Sequence, residues 1–200
     1  MPLPRSDYNL VESRATASGH GVGMPYSGAA VGNEFLSLAS QEAIPIDQMK
    51  LQKLLYYAHA WFLANFDQPL IEEEIEAWPW GPVIRSVYYD TVGAGRAPLM
   101  QKLRSLERVG VGALDFRVTI PELSDTNAKT FVKSVWDTHK AFSGIQLSNS
   151  THAPGEPWTI VKEQYGDLDK KPPIPNELIK AVFKKKLADN VATTANQAAQ

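Results

Sequence analysis

The residues best suited to acid–base or metal chemistry are four histidines, His20, His59, His139 and His152, and the carboxylates Glu72, Glu73, Glu74 and Glu76. A metal needs convergent ligands at short, regular spacing, and no two histidines here have it. His59 and His139 fall inside helical patterns, where a packed histidine with one hydrogen bond is the default. The glutamate run could pair carboxylates for hydrolysis or bind a divalent cation. A solvated charged edge that discourages unwanted strand pairing explains the same residues. A hydrolase using Glu74, Glu76, His59 or His152 is therefore the enzymatic alternative. Phosphate-binding, dinucleotide, zincin and nucleophile-elbow motifs are absent from the sequence. No catalytic residue, metal site or cofactor is expected.

The chain has no cysteine, which removes disulfides, thiolate zinc sites and thiol nucleophiles together. Its net charge of -2 gives no global attraction for nucleic acid or an anionic membrane. Lys184, Lys185 and Lys186 form a local basic run, so a DNA-binding autoregulator is a further alternative. Three lysines near a helix C-terminus are, however, favoured there by the helix dipole alone. No apolar run reaches the roughly 18 residues of a membrane span, and MPLPRSDYNL has no signal-like apolar stretch. A cytoplasmic location is expected.

The aromatic and proline segments are more informative. Trp78-Pro79-Trp80-Gly81-Pro82 sets two indoles on a stiff turn, and Tyr88-Tyr89 follow. A rigid aromatic presented at low entropy cost is the physics of a binding hot spot. Each indole reads equally well as core or as interface. THAPGEPW (151–158) is mainly structural: Thr151 or His152 closes one helix, Glu156 is a candidate cap for the next, and Trp158 plugs the core.

The elements that must position these residues are mostly helices. Residues 1–27 read as a disordered arm and 188–200 as a disordered tail, leaving 28–187 as one domain. The spacing predicts helices over 29–40, 48–65, 83–91, 126–142, 143–149, 158–165 and 176–187, and more weakly over 98–106. The helix at 48–65 is the clearest, with Asp47 as N-cap and a wide apolar face. Pro82 suits the first position of the helix after it. The alternation of 71–78 predicts a strand pairing with FRVTI (116–120). The fold class is mainly α: a compact helical bundle with a small two- or three-stranded β element.

Three blocks, MKLQKLLYYAHAWFLA (49–64), PLIEEEIEAWPWGPVIRSVYYD (69–90) and LSNSTHAPGEPW (147–158), resemble the signature blocks of the Panacea-domain (SocA-like) antitoxins, in that family's order and spacing. With FVKSVWDTH between them, the resemblance covers about 28–165. It departs at Ala141-Phe142-Ser143-Gly144, where the family often carries a tyrosine-glycine pair, and at Pro79. The resemblance implies a mainly helical fold and a prophage-type toxin–antitoxin role. The partner would be a toxin, such as a nucleotide-transferring enzyme that stops translation, neutralised by direct binding. A protease is a second implied partner in some such systems. The expected partner contacts are Trp80, Arg85, Tyr88 and the acidic edge Glu72, Glu73 and Glu74.

Overall fold

The computed structural model describes residues 25–112 and 115–198, with side chains through 190. Seven helices run α1 (Gly28–Gln41), α2 (Gln48–Phe66), α3 (Arg85–Thr91), α4 (Thr126–His139), α5 (Gly144–Thr151), α6 (Pro157–Tyr165) and α7 (Asn176–Ala198). Four strands form two antiparallel hairpins: β1 (Ile75–Trp78) with β2 (Gly81–Ile84), and β3 (Ser105–Arg108) with β4 (Phe116–Thr119).

α2 is the axis of the bundle. Asp47 caps it, accepting from the Lys50 amide at 2.7 Å, which satisfies one donor of the open first turn. Every residue from Lys50 to Ala64 is buried, because α1, α3, α4, α5, α7 and β2 all pack around it. The apolar stripe from Leu51 to Phe62 faces the core, while Gln52, Lys53 and His59 are buried on the remaining sides as clamps. α7 closes one side: Phe183 sets its edge on Trp61 at 4.9 Å and on Tyr56 at 6.0 Å. Such edge-to-face pairs stabilise beyond the area they bury.

The helical readings of 29–40, 48–65 and 126–142 agree with α1, α2 and α4 within one to three residues. Several others need correction. β1 is shorter than the expected strand and pairs with β2, not with 116–120. The Pro79-Trp80 turn reverses the chain at once, so the next segment reaches the ladder before any distant one. Pro82 lies in β2 opposite Ala77 instead of opening α3. The Ala77 amide points outward to the Pro172 carbonyl, so that pair makes no mutual ladder bonds and proline costs nothing there. The weak helix over 98–106 does not form. The Leu99 amide bonds to Ile46 and the Leu103 amide to the Asn33 side chain, so these donors serve other elements instead of a helix. Residues 105–108 become the strand that pairs with Phe116–Thr119.

α7 continues to Ala198, beyond the boundary at 187 and into the segment read as a disordered tail. Of the N-terminal arm, 1–24 lie outside the described residues. In its described part, 25–27, Tyr26 bonds to Leu70 and Glu72 in a parallel bridge.

Candidate functional site

The two indoles of the 78–82 turn have opposite fates. Trp78 is buried, its Nε1 donating to Glu76 Oε2 at 2.7 Å. Its ring lies between Tyr88 (centroids 4.7 Å apart) and the Lys171 ammonium (3.8 Å). Trp80 is 72% exposed. Its backbone is nevertheless fixed, because Ser148 of α5 donates to its carbonyl at 2.9 Å. The turn is seated from below by Lys53, whose Nζ donates to the Pro82 carbonyl at 3.0 Å. Burial lowers the Lys53 ammonium to about 7. Gly81, at φ +104°, packs against that ammonium and Thr151: a Cβ would lie 2.6 Å from Nζ and 2.9 Å from Oγ1. Trp158 Nε1 donates to the Trp78 carbonyl at 2.8 Å, tying α6 to the same hairpin. The turn is therefore a rigid platform with one outward aromatic.

Of the acidic residues, Glu72 and Glu74 are exposed. Glu73 does structural work at the start of α1, with Oε2 accepting from the Gly28 amide at 2.7 Å and Oε1 from Ser86 at 3.0 Å. Arg85 is engaged by Glu76 at 2.9 Å and remains half exposed. Tyr88 is half-buried on Trp78, and Tyr89 beside it points outward, 59% exposed.

The groups of the hydrolase alternative are not brought together. His59 is buried, with Nδ1 accepting from the Ile71 amide at 3.2 Å and Nε2 donating to Asn176 at 2.9 Å. Desolvation lowers its pKa, although the Asn176 bond opposes this. His152 packs at a tilt against Trp158, with ring centroids 3.9 Å apart. Glu76 is occupied by Trp78 and Arg85. His139 is buried on Tyr57 with Nδ1 donating to the Val135 carbonyl at 2.7 Å, and burial lowers it to about 4. No group of three His, Asp or Glu able to hold a metal ion occurs among the described residues. In the lysine run, Lys184 pairs with Asp67 and Lys186 with Glu156, which leaves Lys185 outward. Glu156 thus serves α7 and makes no side-chain cap on α6.

Sequence reasoning missed the second hairpin and its anchor. Asn33 of α1 is buried and clamps both arms at the base. Its Nδ2 donates to the Leu103 and Pro121 carbonyls at 3.0 and 2.9 Å, and its Oδ1 accepts from the Leu103 amide at 2.7 Å. Gly32 beside it lets Leu103 lie against the helix. A lone amide side chain inside the apolar run GAAVGNEFL was the available signal. Beyond that clamp the hairpin leaves the core. Nine of the twelve large apolar side chains exposed among the described residues lie between Tyr89 and Ile120. A cleft of about 480 Å³ separates the hairpin from α3, bringing together Glu72, Glu73, Tyr89, Asp90, Leu106 and Val118. Trp80 and Arg85 lie outside it.

Residues 51–159 match the family described as Antitoxin SocA-like, Panacea domain, a span that runs from α2 into α6. The chain is also 33% identical over 132 residues to Antitoxin SocA of Caulobacter vibrioides (strain NA1000 / CB15N). That match covers 66% of this chain and 68% of that protein. The chain belongs to the SocA-like antitoxin, Panacea-domain family. No solved structure gives a significant match. The region matched to the Panacea domain contains the Trp78–Pro82 platform, α3 and the whole β3–β4 hairpin. No helix among the described residues is long and apolar enough to cross a membrane.

Proposed function

We propose that this Panacea-domain protein is an antitoxin that neutralises a cognate toxin in the cytoplasm by binding it directly. The observation that carries the reading is the concentration of exposed large apolar side chains between Tyr89 and Ile120, beside the free carboxylate edge of Glu72 and Glu74. Contiguous apolar surface costs solubility, and a partner that covers it removes that cost. The name of the SocA relative supports the same role.

Trp80, Arg85, Tyr88 and the acidic edge Glu72–Glu74 supply the contacts outside and around the cleft. Trp80 is the anchor, because its backbone is already fixed before binding. An acidic edge complements a toxin that handles nucleotides through basic residues, in keeping with a nucleotide-transferring enzyme. An interface of standard size, about 1,600 Å² in total, is enough to block substrate access.

The test is co-expression with the product of the adjacent gene. That product should arrest growth alone, and this chain should relieve the arrest and co-purify with it. Trp80→Ala should weaken the complex about tenfold or more without lowering the melting temperature. A neighbour that is harmless, or that does not bind, would refute the reading.

A further inference from the structure

The two hairpins treat their edges in opposite ways. In β1–β2 five of the seven outward peptide groups of the pairs Ile75–Ile84 and Ala77–Pro82 are bonded within the protein. On the β1 side, Ala77 donates to Pro172 and Ile75 accepts from Ile174. On the β2 side, Gln52 bonds both the amide and the carbonyl of Ile84, and Lys53 takes the Pro82 carbonyl.

In β3–β4 the Val109 amide bonds to the Asp115 carbonyl at 2.8 Å. Hydrogen-bonded and open pairs alternate along an antiparallel ladder. The pairs Arg108–Phe116 and Leu106–Val118 are then the open ones, with their peptide groups directed outward. None of those outward amides or carbonyls has a partner among the described residues. Unpaired edges of this kind accept a further strand.

The side chains follow the same alternation. Ser105, Glu107, Arg117 and Thr119 form a polar face, with Arg117 and Glu107 paired at 3.2 Å. Leu106, Phe116 and Val118 share the other face with Arg108, whose guanidinium lies over the Phe116 ring, and the three apolar side chains are 69%, 45% and 59% exposed. An amphipathic hairpin is ordinarily stabilised by burying that face. Here it looks across the cleft toward Tyr89 and the acidic residues of 72–73.

Charge selects among occupants. The cleft lining carries Glu72, Glu73 and Asp90 against Arg104 alone, so three negative charges and one positive leave -2. The chain's own first 24 residues hold Arg5 and Arg14 against Asp7 and Glu12, a net of zero. A second copy would bring its own -2 lining against this one. A basic segment of a different protein complements the cleft best.

We propose that the β3–β4 hairpin accepts an extended segment of the partner protein as a third strand. Apolar side chains of that segment cover Leu106 and Val118, and a lysine or arginine among them meets Glu72, because Asp90 is already paired with Arg104 at 3.1 Å. This rests on the antitoxin reading and adds to it the mode of capture and the chemistry of the captured segment.

The experiment uses the full chain and the adjacent-gene product. Hydrogen exchange is followed amide by amide, with and without that product. Either Leu106 and Arg108 or Phe116 and Val118 should slow by at least about tenfold in the complex. Leu106→Glu and Val118→Glu should each weaken binding about thirtyfold or more with unchanged circular dichroism and melting, since both side chains are exposed. Glu72→Lys should slow association and reduce its dependence on salt. Tight binding with no protection at these four amides, and with both glutamate variants binding normally, overturns the inference and leaves the antitoxin reading standing. Absence of binding by the unmodified chain overturns both. Protection of these amides already present in the free chain also overturns the inference. Its loss on deleting residues 1–24 would assign the edge to the chain's own arm, and its loss on dilution would assign it to a second copy.

Discussion

Lys53→Met tests the account of the platform most directly. Lys53 is buried beneath β2, and its ammonium has a carbonyl acceptor from Pro82 but no carboxylate partner among the described residues. Burial disfavours the charged form and lowers its pKa to about 7. An unfolded lysine titrates near about 10.4. Between those values the unfolded chain holds the proton and the folded chain does not, so stability rises with pH across this window. It is lowest, and flat with respect to this group, below pH about 7. The slope approaches about 1.4 kcal/mol per pH unit, and the whole window is on the order of 4–5 kcal/mol. Methionine has similar length and no charge, so the variant loses this slope. It also leaves the Pro82 carbonyl without a donor, at a cost of about 1–3 kcal/mol that does not vary with pH. Lys50 is also lowered by burial and Lys140 is raised by Glu42, but both occur in the two proteins and cancel in the difference. Urea unfolding at constant ionic strength between pH 6.5 and 9.5 measures that difference. Wild-type stability relative to the variant should climb by about 2–3 kcal/mol over the range. A difference constant to within about 0.5 kcal/mol would refute a buried, proton-shedding Lys53.

Three further outcomes follow from the same contacts. Gly81→Ala forces a Cβ to 2.6 Å from Lys53 Nζ at a positive φ, and should cost about 2–4 kcal/mol in urea unfolding. Glu73→Ala removes the acceptor of the Gly28 amide and a negative charge from the start of α1; it should cost about 1–2 kcal/mol, with Glu73→Gln recovering part of it. His139 is held neutral to about 4, whereas the unfolded residue titrates near about 6.5. Below pH 6.5 the unfolded chain binds more protons, so stability should fall toward pH 4 by up to about 1.4 kcal/mol per unit from this group. His139→Phe should flatten that fall in acid unfolding followed by circular dichroism.

The sequence alone settled what is decided within one or two helical turns. The stripe from Leu51 to Phe62, the Asp47 cap and the face of Phe131, Val135 and Trp136 specify α2 and α4 by periodicity and capping, which need no distant partner. The aromatic, proline and glutamate blocks were legible as a family pattern. They did not reveal which indole is buried, because Trp78 and Trp80 differ only in where Tyr88, Lys171 and Ser148 arrive. Strand pairing was decided in three dimensions. Alternation marks 71–78 as a strand and β-branched and aromatic residues mark 116–120, but a ladder is a choice between backbones, and the Pro79-Trp80 turn and the Asn33 clamp made that choice. The same holds for Glu73, legible as a surface carboxylate and used as an acceptor for the first amide of α1, and for the β3–β4 edges. Whether a peptide group is satisfied depends on every segment that passes near it, and only the folded chain brings those segments together.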